Sequence, residues 1–185
     1  MSTQPLEAAI ASTRSVLGGV SQDQLDAATP CASWKVRELL NHIVGGQQYF
    51  AALVSGEAFS PGEHDWAAGN FASDFDANSA ACVAAFSAPG AMEKMLHLPF
   101  GDMPGAGFVG LAATDTFVHG WDLANATGQD TNLDPDLAGG LLVGAKAFIQ
   151  DSIRGNEPMP FGPQQQAPVG ASAADELAAF LGRTV

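Results

Sequence analysis

Residues 107–126 read GFVGLAATDTFVHGWDLANA, and this stretch decides the fold. It carries Phe108, Leu111, Val118, Trp121 and Leu123 with no proline, which predicts one long helix with a face to bury. Gly128 stands where a left-handed cap would end it. Upstream, a second long helix is expected over about 34–54, with Ser33 as its N-cap and a stripe of Val36, Leu39, Ile43, Gly46, Phe50 and Leu53. A first helix is predicted over about 4–18 (Leu6, Ile10, Thr13, Leu17), stopped by Gly18-Gly19. Ser21 to Gln24 has capping-box form, so a short helix is expected there. Residues 55–70 read as a loop. A third helix follows over about 72–87, using Phe75, Cys82, Val83 and Phe86 and ended by Pro89-Gly90. Residues 92–107 suit a short extended segment or hairpin around GDMPG. Beyond the decisive helix, Asp134-Pro135 opens a fifth, read as running to Gly155. A Pro- and Gln-rich stretch (156–170) precedes a last short helix, about 172–181. Long helices joined by loops predict an all-α bundle. Loop lengths alone do not order its helices.

The chain has 185 residues, which suggests one domain spanning 1–185. Its net charge is −13, with only 7 Lys plus Arg against 20 Asp plus Glu. Phosphate binding needs clustered basic side chains, so nucleic acid is discounted as a partner. No apolar run approaches the roughly 18 residues of a membrane helix, and no membrane partner is expected. The N-terminus lacks the basic start and apolar block of a signal peptide. Two cysteines make no disulfide framework, so a reducing cytoplasm is the expected location. The sequon Asn125-Ala126-Thr127 is therefore expected to go unused. A homodimer through a helix face is common for bundles, although no patch singles one out. Phosphate loop, dinucleotide glycine fingerprint and serine elbow are all missing from the sequence.

Asp115 and His119 lie one helical turn apart, so both side chains project from one face. A carboxylate and an imidazole so placed can share a metal ion at roughly 2.0–2.2 Å. His42 lies beside the apolar stripe of the second helix and points toward the bundle interior or its edge. Three such ligands would leave a coordination position open, the mark of a catalytic site. Spacing alone leaves a plainer reading open: a helix-surface ion pair, or a buried histidine with a satisfied hydrogen bond. Other candidates are weaker. His64, between Glu63 and Asp65, reads as solvated, and His97 belongs to the extended segment, a further ligand only if the fold brings it to the metal. Cys31 reads as a small buried residue ahead of a helix, with a reactive thiol or further ligand as the alternative. Trp34 and Trp121 read as core anchors, and Asp122 as a helix-surface group rather than a support for the ligands. Gly45-Gly46 inside a helix suggests close packing or room for a ligand.

Three motifs carry a resemblance. Thr29-Pro30-Cys31 followed by Trp34-Lys35-Val36-Arg37-Glu38-Leu39-Leu40-Asn41-His42 is the first. Asp115-Thr116-Phe117-Val118-His119-Gly120-Trp121-Asp122-Leu123-Ala124 with Ala126-Thr127-Gly128 is the second. The third runs from Phe161-Gly162-Pro163 to Phe180-Leu181-Gly182-Arg183. Together they resemble the DinB-like metal-binding family, in its mycothiol-dependent maleylpyruvate isomerase N-terminal domain branch. The resemblance implies an up-down-down-up four-helix bundle. It also implies a divalent metal, zinc first and nickel as the alternative, held by His42, Asp115 and His119. In the isomerase the helical pair begins with Glu, so Asp115 is one methylene shorter. The isomerase also carries a further C-terminal domain, so maleylpyruvate isomerisation itself is not the expected reaction here. The function expected from the resemblance is transfer of a low-molecular-weight thiol, mycothiol, to a small electrophile, or a related isomerisation. A non-catalytic metal- or ligand-binding module and a metal-dependent hydrolase are the alternatives.

Overall fold

A computed structural model describes residues 2–31, 33–60, 62, 64–98, 101–155 and 161–185. Four helices make the bundle: α1 (Gln4–Leu17), α2 (Val36–Ser55), α3 (Phe71–Ser87) and α4 (Gly105–Thr127). Their directions follow from individual contacts. On α1 and α4, Thr13 Oγ1 donates to the Thr116 carbonyl at 2.8 Å, and Gln129, just past α4, donates to the Val16 carbonyl at 3.1 Å. These helices run parallel. Along α2 and α4, His42 faces His119 (ring centroids 4.5 Å) and Phe50 faces Phe108 (5.4 Å), so the pair is antiparallel. Ala67, just ahead of α3, bonds Asn41, and Asn78 within α3 bonds the Val44 carbonyl at 3.1 Å, so α2 and α3 are parallel. Arg14 pairs with Asp76 at 2.7 Å while Thr3 shares a groove with Phe86, which makes α1 and α3 antiparallel. The order is up-down-down-up, which the loops did not predict and the resemblance did.

A parallel α2–α3 pair needs a crossover, and residues 56–70 supply it. Gly56 takes φ +83 and turns the chain at the end of α2. A single 3₁₀ turn, Trp66–Ala68, then lies back across α2, anchored by Arg37 to Asp65 at 2.6 Å. A Cβ on Gly45 would meet the Trp66 indole at 3.4 Å, so this glycine serves close packing.

Helix α2 starts two residues later than predicted. Lys35, not Ser33, is the cap residue, and its N–H donates to Glu38 at 2.9 Å. Residues 29–31, 33 and 34 are held off the helix because Thr29 Oγ1 donates to the Trp34 carbonyl at 2.7 Å. The expected capping box at Ser21 does form, with the Gln24 side chain accepting from the Ser21 N–H at 3.0 Å.

The extended segment is a two-stranded antiparallel hairpin, β1 (Met95–Leu98) and β2 (Gly101–Pro104). It buries Leu96, Leu98 and Met103 and hands the chain directly to α4. Helix α5 (Pro135–Phe148) is capped by Asp134, whose side chain accepts from Leu137 N at 3.1 Å. It stops at Phe148 rather than at Gly155. Ile149 is extended, and Arg154 beyond it donates to the carbonyls of Gly162 and Phe180, drawing that segment off the α5 axis and onto α6 (Ala173–Phe180). Among the described residues no helix is long and apolar enough to cross a membrane.

Gly120 sets how closely α1 approaches α4. A Cβ there would lie 2.4 Å from Thr13 Oγ1, a fully buried hydroxyl already committed to the Thr116 carbonyl. Gly120→Ala is expected to cost about 1–3 kcal/mol, the usual range for overpacking. Urea unfolding monitored by helical circular dichroism checks it.

Candidate metal centre

Antiparallel packing of α2 on α4 brings His42 opposite Asp115 and His119. His42 Nε2 lies 3.5 Å from Asp115 Oδ2, and His119 Nε2 lies 3.5 Å from Asp115 Oδ1. One donor atom from each of the three residues falls within 4.8 Å of the others. Bonds of roughly 2.0–2.2 Å to a tetrahedral ion put neighbouring donors about 3.4 Å apart, so both measured separations suit a shared ion. One donor also has no hydrogen bond. His42 Nε2 is buried without a hydrogen bond, since its approach to Asp115 has an ion-pair distance but no hydrogen-bond geometry. Two imidazoles and a carboxylate are a normal set for zinc, and imidazole suits nickel as well.

Behind the three donors lies a second layer. Asp122, one turn after His119, is completely buried and meets His119 Nδ1 at 2.9 Å. A carboxylate on one ring nitrogen fixes the imidazole so that the other nitrogen faces the ion, the usual arrangement around metal-bound histidine. Arg183 in turn holds Asp122, from Nε at 3.1 Å and from Nη2 at 2.8 Å. Cys31 Sγ lies 3.2 Å from Asp122 Oδ2. Trp34 covers the centre, its ring 4.7 Å from His42 and 5.6 Å from His119.

Electrostatics follow from this layering. Burial on its own would raise the Asp115 carboxyl, but the His42 and His119 imidazoles outweigh it and hold Asp115 far below the usual carboxylate range. Burial likewise opposes charge on His119, and Asp115 and Asp122 overcome it, holding the imidazole well above its ordinary value. Asp122 is also pushed far down: burial opposes its ionisation, and Arg183 followed by His119 prevails.

The three residues that the sequence offers as ligands lie together in the fold, and three other readings change. Asp122 is no surface group but the most buried acid of the site. Cys31 is only half-buried and lines the same cleft. Trp34 is a partly exposed cover, whereas Trp121 is the expected core anchor, with its indole N–H donating to Asp175 at 2.8 Å. Arg183 escaped notice as a site residue because it lies 61 positions from its partner Asp122. Two histidines stand apart from the centre. His97 pairs across the hairpin with Asp102 at 2.9 Å, and exposed His64 packs tilted against Trp66, ring centroids 4.1 Å apart. Glu63 lies outside the described residues. The centre opens into a partly open cleft of about 840 Å³ between α2, α4 and the 148–155, 161–163 and 181–183 segments.

Fold and donor set together define an up-down-down-up helical bundle with a His-Asp-His pocket at the head of a cleft. Residues 6–124 match the model of the mycothiol maleylpyruvate isomerase N-terminal domain, and the chain belongs to that family. It is also 40% identical over 170 residues to an uncharacterized protein of Mycobacterium tuberculosis, matched in two strains, covering 92% of this chain and 91% of the relative. No solved structure matches.

The two cysteines differ in a way that labelling reads. Cys82 is fully buried on α3, and burial pushes its thiol up to about 12. Cys31 lines the cleft. Native protein is expected to yield one reactive thiol per chain to a water-soluble maleimide, and two after unfolding. Peptide mapping should put the native label on Cys31.

Proposed function

We propose that this protein binds one divalent ion through His42, Asp115 and His119 and transfers a low-molecular-weight thiol, mycothiol by its family, to a small electrophile. The observation that carries the reading is the convergence of three donors, one with an unpartnered buried nitrogen, at the head of a cleft. A divalent ion in that position supplies a Lewis acid that favours the thiolate form of a thiol, which otherwise ionises near pKa 8.5. The chain's own groups do the rest. Asp115, kept ionised, offsets positive charge, and Asp122 with Arg183 keeps the His119 ring in register. Trp34 and the apolar cleft wall limit water around the reacting atoms. A partly open cleft of this size favours catalysis over a sealed binding module.

The test compares zinc-loaded and chelator-stripped protein in mycothiol binding by calorimetry and in mycothiol conjugation to a panel of electrophiles. Binding and rate enhancement that both require the ion support the proposal. Equal behaviour of the two forms, or no binding by either, overturns it.

A further inference from the structure

The cleft extends well beyond the three donors, and its far part has a definite chemistry. On α4, Leu111 and Phe108 lie four and seven residues before Asp115, so they line the same helix face about 6 and 10 Å away along the axis. On α2, Tyr49 lies two turns after His42, again about 10 Å along. Phe50 packs edge-on to Phe108 at 5.4 Å and forms the floor. Phe148, 44% exposed, and Ile153 form the opposite rim. The result is an apolar trough running from the donors to the Phe50–Phe108 pair.

Its charge is as informative as its shape. Among the described residues lining the cleft, Arg183 is the one guanidinium, and there is no lysine. Its Nε and Nη2 are taken by Asp122 and its Nη1 by the Leu181 carbonyl at 3.1 Å. A substrate carboxylate would compete with Asp122 for a guanidinium that is already neutralised, and would face Asp115 while doing so. At the donors, any positive charge of an ion is already met by Asp115 and the incoming thiolate.

We infer that the acceptor of the thiol is an uncharged, largely apolar molecule, about 10 Å long, lying in the trough beside Leu111, Phe108 and Tyr49, and not a mono- or dicarboxylic acid. The inference rests on the thiol-transfer reading for the word acceptor and for the charge balance at the donors. Occupancy of the trough by a neutral apolar molecule needs neither ion nor thiol.

The experiment uses the full chain, metal-free and zinc-loaded, and two fluorescent probes that differ only in charge and one methyl group: neutral methyl 2-naphthoate and anionic 2-naphthoate. Leu111→Lys places a cation half-way along the trough, at a position that is only partly buried, and Phe148→Glu alters the exposed rim. Wild type is expected to prefer the neutral probe by at least about tenfold, a difference of roughly 1.4 kcal/mol. Each variant should weaken neutral-probe binding, and Leu111→Lys should narrow or invert the preference for it. Naphthoate binding as tight as the neutral probe's in wild type overturns the inference. So does unchanged neutral-probe binding in both variants with native circular dichroism. If zinc loading or thiol conjugation fails while the neutral probe still binds the trough, the transferase reading falls and the apolar specificity stands.

Discussion

Replacing His119 with alanine is expected to take zinc loading from about one ion per chain to almost none, with the fold retained. His42→Ala should do the same. Each loss should exceed the roughly 10–100-fold that disturbing an outer partner costs, because a donor itself is gone. Plasma mass spectrometry on untagged, desalted protein reads the result, and retention of metal in both folded variants sinks the three-donor centre. The charges around His119 add a pH signature. In the metal-free chain Asp115 and Asp122 outweigh burial and hold the His119 imidazolium well above its ordinary value. The ion must displace that proton, so zinc binding at neutral pH should release protons to the buffer, and affinity should rise with pH until His119 is neutral unaided. Calorimetry in buffers of different ionisation enthalpy measures the release. The same shift has the opposite sense for the fold without metal. Its stabilising contribution is complete below about pH 6.5 and is lost as pH climbs through the raised value.

The second large effect is at Asp122. Asp122→Ala leaves the Arg183 guanidinium buried without its carboxylate, and His119 without its orienting partner. Breaking a buried pair from one side costs about 3–5 kcal/mol, so Tm should fall by roughly 6–20 °C in a chain of this length. Replacing both partners by apolar residues should recover much of that loss, since the second charge is then no longer stranded. Asp122→Asn should lower zinc affinity by roughly 10–100-fold. The depressed Asp122 carboxyl stabilises the fold above its unfolded value near 3.9, and this is lost as pH falls through the lower folded one. A Tm unchanged in Asp122→Ala would show that Asp122 and Arg183 contribute nothing to the fold.

The bundle's helices were legible because their signals are local. Gly128 does take the left-handed cap of α4, at φ +71, and Asp134 does cap α5. The misreadings are places where tertiary contacts overrule local pattern. Ser33 has the residue type of a cap, but the Thr29 hydroxyl holds the preceding turn and moves the start to Lys35. Isoleucine and arginine at 153 and 154 look helical, but Arg154 is drawn to carbonyls near α6. In the centre, the Asp115–His119 spacing was visible, and the fold brings His42 to it. What spacing did not reveal was the supporting layer. An aspartate one turn past a histidine looks like surface charge until an arginine far along the chain is seen to meet it.

One feature of the bundle ties chemistry to persistence. His42 is on α2, while Asp115 and His119 are on α4. An ion shared among them is a cross-link between antiparallel helices that otherwise meet through packing and the Gln47–Thr116 bond. Its binding energy therefore adds to unfolding free energy by mass action, about 2.7 kcal/mol when free ion stands at a hundred times its dissociation constant. The lifetime of the protein would then rise and fall with the supply of its ion, so metal scarcity would deplete the molecule as well as silence it.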